Sequence, residues 1–253
     1  MNSTFKDYFF PLNRFAGFTE VDGSVLFYNI INSRIASGSV VLDFGAGRGL
    51  AVETPSAWRR TLTSTRLLPV KRIAVDVDPI VLTNPFATEH HVMPINDHGI
   101  RIPLDDASVD VVICDWVVEH LPDPVQVFSE FRRVLRVGGM VAIRTSNQWH
   151  YAYLAARMLG ETQLATRILN RAQPQRKEED VFPKIYRANT RRSLGNALCR
   201  AGFVEPTVFT WDAEPAYVGT GVIGNVLGFA LHRLALAGLL PRSSLFGFAS
   251  KSS

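Results

Sequence analysis

Apolar residues occur in short blocks along the chain, and the spacing within the blocks changes between two periods. Val25, Phe27, Ile30, Ile31 and Ile35 recur at helical spacing, with Asp22 or Ser24 able to cap the start. Gly38 and Ser39 break that helix, and Val40–Phe44 follows as an almost unbroken apolar run. Such a run reads as a strand covered on both faces, the pattern of a parallel sheet. Further strands are predicted at Arg72–Asp76, His91–Ile95, Val109–Cys114 and Met140–Arg144. Between them fall a weak helix over Ala51–Leu68, a short helical turn at Ile80–Leu82 confined by Pro79 and Pro85, and an amphipathic helix over Val125–Leu135 that Gly138-Gly139 should end.

After residue 147 the alternation stops. Tyr151–Leu169 has helical spacing, Gln173–Asp180 is polar and charged, and Arg191–Ala201 reads as a helix stopped at Gly202. Phe203–Trp211 and Ser244–Lys251 are predicted as the last two strands, separated by the long apolar run Val222–Leu240. Asn225, His232 and Arg233 inside that run argue against a membrane span, because a charge within the bilayer is costly. A buried helical insertion, or a helix lying on a membrane surface, accounts for it better. Helix and strand in regular alternation predict an α/β, doubly wound parallel sheet. The organisation expected is one domain over 1–253, with an N-terminal lid or helix (1–38), substrate-side helices (148–202) and an apolar helical insertion (217–241). The aromatic stretch at 1–17 either packs on the domain or lies over a groove.

Composition narrows the function classes only slightly. A hydrophobic fraction of 47% suits a globular domain, and 27 basic against 23 acidic residues leave a mild +4. The arginines are scattered rather than interleaved with aromatics, so a solvated surface is expected and no nucleic-acid partner. Two cysteines, Cys114 and Cys199, give no disulfide framework, and Cys114 sits in an apolar run as a small core residue. No charged segment followed by an apolar one opens the sequence, so a cytoplasmic protein is expected, with peripheral membrane contact open through 217–241.

Chemistry concentrates around Asp43-Phe44-Gly45-Ala46-Gly47-Arg48-Gly49. Glycine at every second position permits a tight turn at positive φ and close backbone approach to a ligand, at the carboxyl end of a central strand. A dinucleotide fingerprint needs its third glycine at position 50, which is Leu. Asp76 closes the second strand, where an acid can accept hydrogen bonds from both ribose hydroxyls of a nucleoside or else cap the next turn. Asp43 either places a negative field beneath a cationic ligand group or satisfies the amides of its own turn. Asp97 precedes Ile100–Leu104 and could accept an adenine amino group or be a solvated loop acid. The fourth strand runs into Asp115-Trp116-Val117-Val118-Glu119-His120-Leu121-Pro122, which should flank the reactive centre. Trp116 offers an aromatic face to a cation or forms the crevice wall. His120 is the histidine whose position suggests a general base, or with Glu119 it fixes the next helix.

Taken together, Asp43, Gly45, Gly47 and Gly49, the acid Asp76, the Pro103-Leu104-Asp105 to His120 block, and Leu135-Arg136-Val137-Gly138-Gly139 resemble the class I S-adenosylmethionine (SAM)-dependent methyltransferases, particularly the methyltransferase-11 type. The resemblance covers about residues 25–147. It implies a Rossmann-like, seven-stranded, mostly parallel sheet with a final antiparallel strand, and SAM as cofactor. Asp43, Gly45, Gly47, Gly49, Asp76, Asp97, Asp115 and Trp116 are then the candidate cofactor contacts and His120 the candidate catalytic base, with no metal. The chain departs from the pattern in a longer stretch between the first two strands, in irregular spacing of the adenine loop, and in the apolar insertion. Thr145–Tyr151 and Asp180–Thr190 are where a small-molecule, glycan or lipid-linked acceptor should be recognised. Two rivals remain, an NAD-dependent oxidoreductase with a degenerate loop and a non-catalytic SAM-binding module that recruits a partner or membrane.

Overall fold

The computed structural model describes residues 10–11, 19, 21–49, 70–93, 99–151, 153–154, 183–212 and 222–253. The expected helix at Ala51–Leu68, Asp97, most of Tyr151–Leu169, and Gln173–Asp180 lie outside the described residues. The elements are α1 (Gly23–Asn32), β1 (Val40–Phe44), β2 (Lys71–Asp76), a 3₁₀ turn (Pro79–Thr83), β3 (Glu89–Val92), β4 (Val109–Asp115) and a second 3₁₀ turn (Val118–His120). Then follow α2 (Pro124–Val134), β5 (Leu135–Ser146), α3 (Arg191–Arg200), β6 (Thr207–Trp211), α4 (Val222–Leu236) and β7 (Ser244–Ser250).

The strands form one seven-stranded sheet in the order β3-β2-β1-β4-β5-β7-β6. Pairings β1–β2, β1–β4, β2–β3 and β4–β5 are parallel. β7 runs against β5: Gly138 N–H donates to the Lys251 carbonyl, while nine residues further along β5 Asn147 N–H donates to that of Ser243, so one strand's numbering rises as the other's falls. The order reverses between β1 and β4, and in such sheets the ligand crevice lies at the carboxyl ends beside that reversal.

The chain divides into two compact units. The larger comprises Ser24–Thr145, Ile185–Phe209 and Leu245–Ser253. Its central strands β1, β2 and β4 are buried along nearly their whole length because both faces are covered. On one face, Leu42, Phe44, Ile73, Val75, Val112, Cys114, Val141 and Ile143 meet Val127, Phe128 and Phe131 of α2 and Leu194 and Leu198 of α3. Burial there pushes the Cys114 thiol well up, leaving it an inert core group. Phe27 of α1 packs with Phe246 and Phe248 of β7, centroids 5.6 and 5.9 Å away. The smaller unit comprises Met1–Gly23, Ser146–Lys184 and Thr210–Ser244. Within it His232 Nδ1 and Asp212 Oδ2 share a buried hydrogen bond of 2.8 Å, and Asp212 Oδ1 accepts from Ser243 N–H at 2.9 Å. Phe10 packs edge-on to the His232 ring at 5.3 Å.

α2 has the length the periodicity suggests, shifted one residue towards the N-terminus. Asp123 caps it through the Val125 and Gln126 N–H groups, Pro124 stands in its first turn, and extended structure begins at Leu135 rather than after the glycines. Gly138, at φ +83°, therefore lies inside β5. No helix among the described residues is long and apolar enough to cross a membrane.

Arg133, near the end of α2, holds the segment leading into β4. It donates to the carbonyls of Ile102 and Leu104 (both 2.8 Å), to Glu130 and to Asp106, and Glu130 in turn accepts from Ile102 N–H at 2.9 Å. Arg133→Ala strands two carbonyls and the half-buried Glu130 carboxylate, and should lower unfolding stability by about 2 kcal/mol in urea titrations. A loss below about 0.5 kcal/mol would show that the segment is held by its apolar contacts alone.

Candidate functional site

Three strand ends converge on the turn after β1, all within the larger unit. Gly45, Gly47 and Gly49 have φ of +72°, +47° and +80°. The Gly45 and Ala46 N–H groups donate to the Val75 carbonyl at 2.8 and 3.3 Å, which bends the chain across the end of β2. A Cβ at Gly45 would lie 2.3 Å from Val117 Cγ2, and one at Gly49 would lie 2.6 Å from Asn84 Oδ1. Both positions thus need glycine for space as well as for conformation. Gly47 differs. Among the described residues a Cβ there would meet only the Asp76 carboxylate, at 4.0 Å, so as far as they go this turn of backbone is open on its outer side.

Asp76 is fixed from below. Its Oδ2 accepts from Gly47 N–H at 2.8 Å and its Oδ1 from Asp78 N–H at 3.0 Å. Burial raises its carboxyl above the usual range, against the lowering effect of the Asp78, Gly47 and Val77 N–H groups. Asp78 performs the capping role considered for Asp76, accepting from Ile80 N–H at 2.9 Å at the head of the first 3₁₀ turn. Open backbone with a half-buried carboxylate beside it fits a ligand carrying vicinal hydroxyls, which supply two donors to one carboxylate.

Asp43 is met by an arginine from the neighbouring strand. Its Oδ2 accepts from Arg72 Nη2 at 2.8 Å, in a buried ion pair between β1 and β2. Register explains it: Asp43 pairs with Ala74, so Arg72, two residues earlier on a parallel strand, projects from the same face. Asp115 is held in the same manner. Arg144 donates to both of its carboxylate oxygens at 2.6 Å, from the residue directly opposite on β5. The Tyr28 hydroxyl of α1 adds a third hydrogen bond at 3.0 Å, and Ser24 Oγ accepts from Arg144 Nη1 at 2.8 Å. The Arg144 guanidinium also lies over the rings of Phe27, Tyr28 and Trp116, at 5.0, 5.7 and 5.5 Å. Trp116 is 40% exposed, adopts φ +61°, and donates its N–H to the Arg144 carbonyl at 2.7 Å. One face of its indole is therefore already occupied by a cation.

His120 closes the second 3₁₀ turn, half-buried, its N–H bonded to the Val117 carbonyl at 2.9 Å. The neighbouring Glu119 is buried. Its carboxylate accepts from the Thr145 hydroxyl at 2.6 Å, Asn189 donates to Thr145 Oγ1 at 2.8 Å, and the Glu119 carbonyl accepts from Ile185 and Tyr186 N–H. Parts of the two stretches singled out for acceptor recognition thus meet at the end of β5. Arg72, Arg144, Tyr28 and the Asp212–His232 pair were not singled out from the sequence. An arginine in the apolar run of β2 was the available signal for the first of them. His150 is buried in the smaller unit, and burial pushes its imidazole down.

Residues 42–143 match the family model described as a methyltransferase domain. A probable SAM-dependent methyltransferase of Mycolicibacterium smegmatis is 32% identical over 124 residues, covering 48% of this chain and 44% of that protein. A malonyl-[acyl-carrier protein] O-methyltransferase of a Marinomonas species is 31% identical over 112 residues, covering 43% and 38%. The match therefore takes in less than half the length of each of these relatives. A SAM-dependent methyltransferase structure from Archaeoglobus fulgidus aligns over 90% of this chain and 92% of its own with TM-score 0.54 at 15% identity, a likeness of fold. With the sheet order and the glycine turn, these matches make residues 42–143 similar to the class I SAM-dependent methyltransferase domains that the sequence resembles, over less than half of the chain.

The turn's demand for glycine is measurable. Ala in place of Gly45 must adopt positive φ and also displace Val117, whereas Gly138, at φ +83°, has no atom within 4 Å of its Cβ position. Gly138→Ala should cost about 1 kcal/mol and Gly45→Ala about 2 kcal/mol or more in unfolding titrations. Equal costs would mean that Val117 gives way freely.

Proposed function

We propose that this chain transfers the methyl group of SAM to a small-molecule acceptor. The observation that carries this is Gly47: positive φ, an outer side open among the described residues, and the Asp76 carboxylate at 4.0 Å from where its Cβ would be. In this reading Asp76 grips the ribose, the Gly45–Gly49 backbone lies against the nucleoside, and Asp97 meets the adenine. Asp43, Asp115 and Trp116 border the donor's reactive end. When bound, SAM supplies a methyl group on a positively charged sulfur, ready for in-line displacement. The chain's own part is to hold the acceptor collinear with that bond and keep water out, where effective molarities of about 10⁵ M or more are attainable. His120 is the candidate base for an acceptor whose nucleophile must lose a proton. The early third glycine of the turn and its open Gly47 favour this over an NAD-dependent oxidoreductase.

Isothermal titration with SAM tests the site. Gly47→Arg fills the open side and Asp76→Ala removes the ribose acceptor, so each should weaken binding at least tenfold, about 1.4 kcal/mol, in a protein that still unfolds cooperatively. Undiminished binding in both would discard the assignment.

The acceptor is amphiphilic or lipid-linked in this reading, and α4 rests on an anionic lipid surface. Ile223, Val226, Leu227 and Leu234 share one helical face and are 40–85% exposed, while Gly228, His232 and Ala235 are buried on the opposite side. From residue 215 to 253 the sequence has Arg233, Arg242 and Lys251 and no acid, which suits a negative surface. Sedimentation with vesicles of phosphatidylcholine and phosphatidylglycerol should carry the protein down, and Ile223→Glu with Leu227→Glu should release it. Equal recovery of both proteins in the supernatant would remove the lipid surface from the proposal.

A further inference from the structure

The chain leading into α3 is pinned at the crevice end of the larger unit. Glu119 follows β4 and Thr145 stands near the end of β5, so both lie at the carboxyl ends that carry the glycine turn. Ile185 and Tyr186 N–H donate to the Glu119 carbonyl at 2.7 and 3.1 Å, and Asn189 donates to Thr145 Oγ1 at 2.8 Å. Ala188 and Asn189 are buried, and Thr190 and Ser193 close the first turn of α3 by accepting from each other's backbone N–H. Side chains that point outward from this segment therefore stand on a fixed backbone.

Those side chains are basic. From Ile185 to Val204 the sequence has four arginines, Arg187, Arg191, Arg192 and Arg200, and no acid, while the whole chain sums to only +4. All four are exposed, and no ion pair among the described residues includes one of them. Arg187, Arg191 and Arg192 crowd the strand ends, whereas Arg200 lies about 13 Å further along the helix axis. Apolar surface is exposed at the same end of the unit. Trp116 is tied by its N–H to the Arg144 carbonyl at 2.7 Å, and Ile185 to Glu119 as above; both side chains are exposed.

We infer that Arg187, Arg191 and Arg192 hold the anionic group of the acceptor, an oxyanion such as a phosphate or carboxylate, on a molecule whose apolar part lies against Trp116 and Ile185. The inference rests on the methyl-donor reading above and narrows its acceptor to an anionic amphiphile. A guanidinium offers a planar fork of donors that matches two oxygens of such a group. Water screens each exposed charge, so one contact is weak, and the rim works by bringing several donors to one anion. These arginines set specificity and take no part at the reacting atoms.

Isothermal titration with octyl phosphate and with octanol, both as monomers, tests the rim. Wild type should bind octyl phosphate about tenfold or more tighter than octanol. Arg187→Gln and Arg191→Gln should each weaken octyl phosphate about threefold, and together about tenfold. Arg200→Gln removes the same charge at the far end of α3 and should leave the affinity unchanged. SAM should bind all of these variants as it binds wild type, which shows them folded. Equal losses in the three single variants would mean diffuse attraction to a basic surface, and octanol bound as tightly as octyl phosphate would mean no anion subsite; either overturns the inference. Bilayer head groups are the other source of such an anion. The Arg187 and Arg191 variants should sediment with vesicles of phosphatidylcholine and phosphatidylglycerol as wild type does. Lost sedimentation with octyl phosphate affinity unmoved would assign the arginines to the bilayer and overturn the inference. Wild type that binds octyl phosphate but not SAM would instead overturn the methyl-donor reading, and the acceptor role with it.

Discussion

Charge taken out of water must be matched, and this constraint organises the carboxyl ends of the central strands. Asp43 and Asp115 stand where a parallel sheet offers little solvent, and each is met by an arginine one strand away. Parallel register makes this economical, since paired residues project from the same face and the partner need not reach across the backbone. Removing one member of such a pair typically costs 3–5 kcal/mol, while replacing both by apolar residues is often neutral. The pairs are therefore better understood as fixing charge and geometry near the crevice than as a source of stability. Arg144 also illustrates how far one side chain can extend order: it fixes Asp115, lies over Trp116, and reaches Ser24 and Tyr28 of α1.

The glycine turn depends on the same strand ends. Its first bonds go to the Val75 carbonyl of β2, and its central N–H goes to Asp76. Neither partner is free to shift, because β2 is paired on both sides. Positive φ at three alternate residues would be a strain for any other residue type, and here two of the three positions lack room for a side chain as well. Among the described residues the outer side of Gly47 stays open after those constraints are met, and it faces Asp76, whose carboxylate is held by backbone N–H groups.

Much of this was legible in the sequence. Apolar runs located β1, β2, β4 and β7 to within a residue at each end, because strands covered on both faces leave no polar alternation to confuse the pattern, whereas β3 is polar and half-buried and was placed two residues late. Glycine spacing marked the turn, and Asp76 stood where a strand-end acid should. The start of β5 was misplaced because Gly138-Gly139 resembles a helix stop, although extended structure begins at Leu135 and Gly138 sits within a strand. The partners of Asp43 and Asp115 were not legible, since they depend on register between strands 29 residues apart in each case, which composition and period do not encode. The inward His232 was hidden for a related reason: it interrupts an apolar run, and only the position of Asp212 makes it a core residue.

The most direct test of the central claim is a crystal structure with S-adenosylhomocysteine. The account predicts its ribose hydroxyls on the Asp76 carboxylate, its nucleoside against the open side of Gly47, and the Asp43–Arg72 and Asp115–Arg144 pairs intact beneath it. Density for the ligand elsewhere, or a ribose with no contact to Asp76, would contradict it.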